Sequence, residues 1–395
     1  MDARTNPYAP GAGTPPPELA GRDNLIEDAA IALDRIRNGL AAKSLLMVGL
    51  RGVGKTVLLN RICRDSEDRG FTTLLLEAPE DRSLPGLLAA PLYSALMKMS
   101  RRAGAGDATK RALGALAGFV AAMKVNFGDI SVGIDIEGEP GVADSGHLDF
   151  DLGELLAAVG EAAKAQGTAV ALFIDELQYV QQDQLAALIA ALHRAAQRQL
   201  PVTLVGAGLP QLVAHAAAAK SYAERLFSFP EIGPLAEDAA RHALEAPARE
   251  RGVAFRPDAL SVIVRHTQCY PYFLQEWGKH SWDCAEASPI TAQDVTAATA
   301  QATGELDASF FRARFDRLAP SEKRYLRAMA ELGPGPHRSG EISRIQARGV
   351  GAVAPTRAKL IEKGMIYSPA HGDTAFTVPL FDEYLRRVLP GLPVS

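Results

Sequence analysis

The stretch Gly49-Leu50-Arg51-Gly52-Val53-Gly54-Lys55-Thr56 decides the fold of this chain, because it fits the pattern of a glycine, four residues, and then Gly-Lys-Thr. In such a loop the glycines let backbone N–H groups turn around phosphate oxygens, the lysine neutralises phosphate charge, and the threonine hydroxyl binds Mg²⁺. The helix that follows adds its positive N-terminal end. The predicted nucleotide-binding residues are Gly49, Gly52, Val53, Gly54, Lys55, Thr56 and Val57.

The residues on either side of this loop predict an α/β fold. A short apolar run at 44–48 precedes it, a helical segment at 57–64 follows it, and a second apolar run occupies 72–76. Continuous apolar runs of this length are typical of strands that are buried on both faces of a parallel sheet. Strand, helix and strand at this spacing indicate the parallel sheet of a P-loop nucleoside triphosphatase core.

Asp175 and Glu176 follow an apolar run at 169–174 and form the second candidate part of the site. Burying two adjacent carboxylates is costly unless they have a task. Asp175 is predicted to hold Mg²⁺ together with Thr56, and Glu176 to polarise the attacking water. The alternative is an acidic helix start. The phosphate loop at 49–56 favours the interpretation of Asp175 and Glu176 as site residues. The presence of Glu176 favours hydrolysis of the nucleotide over binding alone.

Composition shifts divide the chain into four predicted parts. Residues 1–17 are Pro- and Gly-rich and indicate a flexible or extended leader. Residues 18–233 form the α/β core, with an insertion at about 85–146 that has no assignable chemistry and a hairpin over 125–137. Residues 234–304 form a helical lid. Residues 305–395, with three helical segments and a two-stranded hairpin turning at Gly372-Asp373, predict a winged helix.

Bulk composition indicates a cytoplasmic protein without a membrane segment. Of the 395 residues 47% are hydrophobic and 22% charged, and no run approaches the roughly 18 apolar residues of a membrane helix. The N-terminus lacks a signal-peptide pattern. The net charge of −4 argues against a basic nucleic-acid coat, but from Glu305 onwards 14 Lys and Arg face 10 Asp and Glu, a weak indication of an anionic partner there.

The loop, the Asp-Glu strand, the helical lid and the winged helix together resemble the AAA+ ATPases, in particular the bacterial and archaeal branch similar to the origin-recognition ATPases and their STAND-like relatives. The resemblance implies ATP and Mg²⁺ as ligands. It also implies that Gly21 and Arg22 belong to the loop that lies against adenine, because 19–23 read Leu-Ala-Gly-Arg-Asp. Pro271, in Tyr-Pro-Tyr-Phe-Leu-Gln at 270–275, matches the nucleotide-contacting motif of the lid.

Two departures from the AAA+ pattern predict slow hydrolysis. The strand after Asp-Glu usually ends in a polar sensor, but 202–209 contain no Asn, and Thr203 lies too early to replace one. The lid arginine of the origin-recognition type would fall near Tyr272 and is missing. Both gaps suggest a nucleotide-dependent switch rather than a motor.

Arg225 lies where an arginine finger would be expected. Such a residue stabilises charge on the γ-phosphate, often from a neighbouring subunit. This would make Arg225 a point of self-association. The alternative is a surface arginine paired with Glu224 or Glu231.

Arg357, Lys359 and Lys363 lie on the candidate recognition helix at 355–363 and could meet the phosphates or base edges of duplex DNA. Arg344 and Arg348 would lie nearby. Winged helices also serve as protein-contact modules, so a DNA partner and a protein partner both stay open.

Two functions therefore compete. The first is an ATPase that hydrolyses ATP to ADP and phosphate and moves a winged-helix domain as it does so. The second is a non-enzymatic, nucleotide-gated protein-interaction module of the STAND-like signalling kind. A P-loop small-molecule kinase is disfavoured, because a winged helix is unexpected there.

Overall fold

The computed structural model describes residues 1–11, 13–78, 83–103, 106–125 and 141–391. These residues group into two compact units. The first, called the α/β unit, comprises Arg22–Gly49 and Lys55–Ile232. The second, called the C-terminal unit, comprises Met1–Gly21, Leu50–Gly54 and Gly233–Ser395, so the middle of the predicted phosphate loop is grouped with it.

The α/β unit is built on a parallel sheet, as predicted. Its strands are paired in the order β2-β3-β4-β1-β5, and β6 also pairs with β1. Every residue of the central strands β1, β3 and β4 is buried, which explains their continuous apolar sequences. The strands in the described ranges are β1 (Ser44–Gly49), β2 (Thr72–Glu77), β3 (Val170–Asp175), β4 (Val202–Gly208), β5 (Phe227–Ser228) and β6 (Glu231–Ile232).

Helices of the α/β unit surround this sheet and include much of the region predicted as an insertion. Leu88 of α3 and Phe119 of α4 are fully buried in the same core as β3, so these two helices complete the unit. The hairpin predicted over 125–137 lies, from residue 126 onwards, outside the described residues. The helices are α1 (Asp23–Arg37), α2 (Lys55–Asp68), α3 (Leu84–Ala103), α4 (Asp107–Ala122), α5 (Leu148–Ala165), α6 (Gln182–Gln197), α7 (Gln211–Ala219) and α8 (Ala223–Leu226).

The C-terminal unit contains a helical region where the lid is predicted. The residues linking α12 to α13, Leu306–Phe311, form a π-helix. Phe273 and Phe311 pack in its core. The helices are α9 (Glu237–Glu250), α10 (Pro257–Thr267), α11 (Pro271–Cys284), α12 (Ala292–Glu305) and α13 (Arg312–Phe315).

The N-terminal leader, predicted as a flexible or extended segment, packs against this helical region. Tyr8 is 4% exposed, and its hydroxyl donates a hydrogen bond to the carbonyl of Leu244. A Cβ at Gly278 would lie 2.8 Å from the Tyr8 ring, so the absence of a side chain at 278 admits the tyrosine. Ordering a Pro- and Gly-rich segment costs conformational entropy, which is why the composition suggested a free leader. The burial of Tyr8 offsets this cost.

The last part of the C-terminal unit combines four helices with a small antiparallel sheet. The predicted hairpin, β8 and β9, is extended by β7 to a sheet ordered β7-β9-β8. Helix α16 begins five residues before its predicted start at Pro355, which lies inside the helix instead of at its first turn. The elements are α14 (Pro320–Glu331), β7 (His337–Arg338), α15 (Ser339–Ile345), α16 (Val350–Glu362), β8 (Ile366–Tyr367), β9 (Asp373–Phe376) and α17 (Phe381–Val388).

Among the helices in the described ranges, none combines the length and the apolar character needed to cross a membrane.

Gly206 on β4 tests the packing of the sheet. An added Cβ there would overlap Cδ1 of Leu177 and lie 2.7 Å from Cδ2 of Leu46, and both leucines are fully buried. We expect Gly206→Ala to lower the free energy of unfolding by about 1–3 kcal/mol, because overpacking forces side chains off their rotamers. Urea denaturation measures this.

Gly351→Ala is the matched control, because Gly351 lies in α16 with nothing within 4 Å of an added Cβ. Alanine is the better helix former, so this variant should keep or slightly gain stability. Equal losses in the two variants would contradict the packing described at Gly206.

Candidate functional site

The predicted phosphate loop runs from the end of β1 at Gly49 to the start of α2 at Lys55. Gly52 and Gly54 have φ angles of +83° and +89°, in the left-handed region that glycine adopts without strain. Nothing lies within 4 Å of the place where a Cβ of Gly54 would be. The backbone therefore requires these glycines and leaves open space beside Gly54, as a phosphate cradle needs.

Thr56 and Asp175 meet in the α/β unit although 119 positions separate them in the sequence. The Thr56 hydroxyl donates to Oδ2 of Asp175 at 2.5 Å. Lys55 and Asp175 are each 7% exposed. Burial raises the pKa of the Asp175 carboxyl, against the opposing effects of the Thr56 hydroxyl, the Glu176 N–H and Lys55. A hydroxyl oxygen beside a buried carboxylate is a donor set that suits Mg²⁺, whose charge would favour the ionised form.

Glu176 follows β3 with a φ of +53°, a left-handed conformation that is uncommon for a residue with a side chain. Strained backbone of this kind concentrates at functional sites. Its N–H donates to Oδ1 of Asp175 at 2.8 Å, and its carboxylate accepts a hydrogen bond from the side-chain amide of Gln178. The two predicted acidic residues are thus adjacent, and each is held by hydrogen bonds.

Gln178 is a functional candidate that sequence reasoning missed. It is 7% exposed, and its Oε1 accepts a hydrogen bond from the N–H of Leu209 at 3.0 Å. The same side chain therefore joins the Glu176 carboxylate to the end of β4. A Cβ at Gly208 would lie 2.7 Å from this Oε1. The Gly-Ala-Gly ending of β4 was the available signal, because it leaves room for a neighbouring side chain.

Thr203, considered as a poor substitute for the missing sensor, has a structural role on β4. Its hydroxyl lies 3.0 Å from the hydroxyl of Ser44 on β1, and both residues are buried. This hydrogen bond satisfies two buried polar groups between paired strands.

Within the C-terminal unit, two backbone hydrogen bonds hold the middle of the loop. The Gly52 carbonyl accepts from the N–H of Tyr272 at 3.2 Å, and the Arg51 N–H donates to the carbonyl of Thr377 at 3.2 Å. Pro271, the first residue of α11, therefore directly precedes a residue bound to the loop. Tyr272 stacks on Phe310 with ring centroids 4.7 Å apart, and burial is the main cause that raises its pKa to about 12.

Gly21 and Arg22 lie on either side of the boundary between the two units. Gly21, in the C-terminal unit, has a φ of +68°, and a Cβ there would lie 2.8 Å from Cβ of Ala239. Arg22 precedes α1, and burial lowers the pKa of its guanidinium. Close packing explains the glycine, and contact of either residue with adenine stays a prediction.

Arg225 is exposed on the short helix α8. Within the described part of the chain it forms no ion pair, so the alternative pairing with Glu224 or Glu231 is not seen. Its action as an arginine finger stays a prediction.

The three candidate DNA-binding residues of α16 differ in their surroundings. Lys363 pairs with Glu322, Nζ to Oε2 at 2.8 Å, whereas Lys359 is exposed. The Arg357 guanidinium is held by the β8–β9 hairpin through Thr374 Oγ1 at 2.8 Å, Ser368 Oγ at 2.9 Å and the Asp373 carbonyl at 2.8 Å. Arg357 and Lys363 therefore stabilise this part of the unit, and a role for any of the three in DNA contact stays a prediction.

Comparison with protein families gives two matches. Residues 18–205 match the AAA ATPase domain, and residues 308–385 match a domain of unknown function. No curated protein matches the chain. The first match covers the phosphate loop, Asp175 and Glu176.

Comparison with solved structures gives matches along nearly the whole chain. A Walker-type ATPase of Pyrococcus abyssi is 15% identical with a TM-score of 0.61, over 94% of this chain and 97% of that one. The ORC1 protein of Aeropyrum pernix, solved in complex with DNA, is 17% identical with a TM-score of 0.46, over 94% of each chain. A RuvB variant of Thermotoga maritima is 14% identical with a TM-score of 0.44, over 95% and 97%. The first of these shows a shared fold.

The family match and the shared fold agree with the geometry of the loop and the acidic pair. Residues 18–205 therefore match the AAA ATPase domain, and the chain shares the fold of a Walker-type ATPase.

Proposed function

We propose that the chain binds ATP with Mg²⁺ at the 49–56 loop and slowly hydrolyses it to ADP and phosphate, as a nucleotide-dependent switch. The observation that carries this proposal is the 2.5 Å hydrogen bond between Thr56 and Asp175, with Glu176 as the next residue. A hydroxyl and a carboxylate in contact, beside a second carboxylate and a buried lysine, are the groups that hydrolysis of a nucleoside triphosphate requires.

In this proposal each residue has one task. Backbone N–H groups of the loop and Lys55 bind the phosphates, and Thr56 and Asp175 hold Mg²⁺, which neutralises phosphate charge when bound. Glu176 accepts the proton of the water whose oxygen attacks the γ-phosphorus, while the bond to the ADP oxygen breaks. Gln178 fixes the position of the Glu176 carboxylate.

Slow turnover is supported by the groups that the described site lacks. At the end of β4 the side chain of Gln178, which follows β3, is the hydrogen-bond partner of Glu176, and the Thr203 hydroxyl is bound to Ser44. Tyr272 occupies the position where a lid arginine is expected. With fewer cationic and polar donors aimed at the γ-phosphate, less transition-state charge is stabilised. Arg225 of a second copy would supply such a charge.

The proposed output of the switch is the C-terminal region, interpreted as a winged helix. The hydrogen bonds of Arg51 with Thr377 and of Gly52 with Tyr272 give the loop two direct links, one to the segment after β9 and one to α11. Phosphate binding uses the backbone of the same loop, so nucleotide state would alter these links. Duplex DNA is the first candidate partner, through Lys359, Arg344 and Arg348, which are exposed.

The alternative is a non-enzymatic, nucleotide-gated module that contacts another protein. The engagement of Arg357 and Lys363 inside the domain supports it, because it leaves fewer cations for phosphates. The missing sensor residues support it as well. Glu176 and its hydrogen bond with Gln178 favour the enzyme.

One experiment separates these functions. ATP turnover of the full chain is measured with Mg²⁺ or EDTA, with or without duplex DNA, at low and high salt and at several protein concentrations. Mg²⁺-dependent turnover supports the enzyme, and a lack of turnover overturns the enzyme.

DNA binding that weakens steeply with salt supports the DNA partner. Salt-independent binding or no binding supports a protein partner. If the turnover rate per chain rises with protein concentration in the wild type but not in Arg225→Ala, this supports the arginine finger.

Gln178→Ala tests the positioning of Glu176. We expect kcat to fall about tenfold with little change in the KM for ATP, because the variant loosens the catalytic base without touching the phosphate-binding groups. Steady-state phosphate release measures both constants.

Gln197→Ala, an exposed change at the end of α6, is the control for Gln178→Ala. A raised KM with unchanged kcat in Gln178→Ala would show that Gln178 acts in binding and would contradict the positioning role.

A further inference from the structure

Three potential metal ligands converge in the helical region of the C-terminal unit. Glu276 and His280 lie one turn apart on α11, so they share a face of that helix. Glu305 is the last residue of α12. Their ligand atoms all lie within 4.8 Å of one another, with His280 Nε2 3.1 Å from one oxygen of Glu305 and 3.7 Å from Oε2 of Glu276.

Two of these ligand atoms are buried without a hydrogen-bond partner. Glu276 is 3% exposed and His280 is 7% exposed. Oε2 of Glu276 has no hydrogen-bond partner among the described residues, and Nε2 of His280 lies 3.1 Å from an oxygen of Glu305 without forming a hydrogen bond to it. Burying polar atoms without partners costs free energy, so such atoms require an explanation. Both point into the same three-residue cluster.

The donor set indicates the class of cation. One imidazole nitrogen and two carboxylate oxygens suit zinc and similar first-row transition metals, with a further position for water. Mg²⁺ and Ca²⁺ prefer oxygen donors throughout. Burial and the neighbouring Glu305 raise the pKa of Glu276. A bound cation would offset the repulsion between these two carboxylates.

The surroundings contain an orienting partner and a competing cation. The Tyr272 hydroxyl lowers the pKa of the Glu276 carboxyl from one turn earlier on α11, which is the place of an outer-shell group beside a ligating carboxylate. Lys279 lies 3.3 Å from Oε1 of Glu305, and its side chain is 30% exposed, so it can turn to solvent. The π-helix starts directly after Glu305, and such irregular turns often occur at functional sites.

We infer that Glu276, His280 and Glu305 form a binding site for a divalent transition metal of the zinc class, separate from the proposed Mg²⁺ site. The metal would clamp α11 to the end of α12. The competing explanation is a metal-free His–Glu ion pair. Because the site is assayed without nucleotide, its failure leaves the proposed ATPase untouched.

The test is a titration of the nucleotide-free full chain with Co²⁺ in excess Mg²⁺ and a thiol-free reductant, followed by absorption spectroscopy. We expect one Co²⁺ per chain, with visible d–d bands of a nitrogen and oxygen donor set. Competition with Zn²⁺ should abolish these bands. A near-ultraviolet thiolate charge-transfer band would assign the metal to the cysteines and overturn the inference, and so would the absence of saturable binding.

Four variants locate the metal. Loss of an outer-shell group alone weakens metal binding by about 10–100-fold, so Glu276→Gln, His280→Gln and Glu305→Gln should each weaken Co²⁺ binding by at least that much. Tyr272→Phe changes an outer-shell group and should weaken Co²⁺ binding by about tenfold. The controls are the exposed changes Glu250→Gln and His371→Gln, which should bind as the wild type does. If the three ligand variants bind Co²⁺ as the wild type does, the inference is wrong and the cluster is only a metal-free ion pair.

A melting experiment covers variants that fold poorly. Zn²⁺ should raise the Tm of the wild-type chain, because a ligand that binds the folded state stabilises it. It should raise the Tm of the Glu250→Gln control equally. No rise in the wild type would overturn the inference without reference to any ligand variant.

Discussion

Glu176→Gln is expected to lower the rate of ATP hydrolysis by about 10²–10⁴-fold, the contribution that a positioned general base makes. The amide has nearly the shape of the carboxylate and can still accept the hydrogen bond that Gln178 donates. It cannot take a proton from water. The phosphate-binding groups are untouched, so ATP affinity should change little.

Phosphate release and equilibrium ATP binding measure the two halves of this expectation. Glu161→Gln is the control, because Glu161 pairs with Arg198 on the surface of the α/β unit, with both side chains about half exposed. Such surface pairs contribute little. A Glu176→Gln variant that hydrolyses ATP at the wild-type rate would remove Glu176 from the mechanism.

Lys55→Ala is expected to weaken ATP binding by about 30- to 5,000-fold, the equivalent of the 2–5 kcal/mol that loss of one member of a buried charge pair costs. Lys55 is 7% exposed at the first turn of α2, where solvent screens its charge little. Without it, phosphate oxygens would keep only the backbone N–H groups of the loop.

Equilibrium binding of a fluorescent ATP analogue in Mg²⁺ measures this loss, with Lys164→Ala as the control. Lys164 is exposed in the last turn of α5. If the two variants bind equally well, the loop does not bind phosphate through Lys55.

The parts of the molecule that the sequence predicted well are those that depend on residues close together in the sequence. The loop pattern determines its own backbone, since Gly52 and Gly54 adopt left-handed angles that the pattern anticipates. Buried parallel strands are visible as continuous apolar runs, so the fold class followed from the runs at 44–48, 72–76 and 169–174. The contact of Thr56 with Asp175 is consistent with the roles predicted for both.

The role of Gln178 could not be predicted, because it depends on which strands are neighbours. Gln178 meets Leu209 only because β4 pairs with β3, and strand order is a property of the folded sheet. Sequence reasoning found the gap at the expected sensor position. It could not see that a side chain following β3 reaches the same place.

The surroundings of the basic residues of α16 could not be predicted for a related reason. A sequence shows which residues are charged, but it does not show which residues they pair with in the folded protein. Arg357 binds three oxygen atoms of the β8–β9 hairpin, and Lys363 pairs with the buried Glu322. Composition misled in the same way at the leader, where Tyr8 is buried among helices far along the chain.

A single-turnover experiment tests the central claim most directly. The full chain, in excess over ATP labelled at the γ-phosphate, is incubated with Mg²⁺, and bound nucleotide and free phosphate are separated over time. We predict that the wild type converts bound ATP to ADP and phosphate, whereas Glu176→Gln keeps it intact. Intact ATP in the wild type, at times when binding is complete, would contradict hydrolysis and leave the nucleotide-gated interaction module.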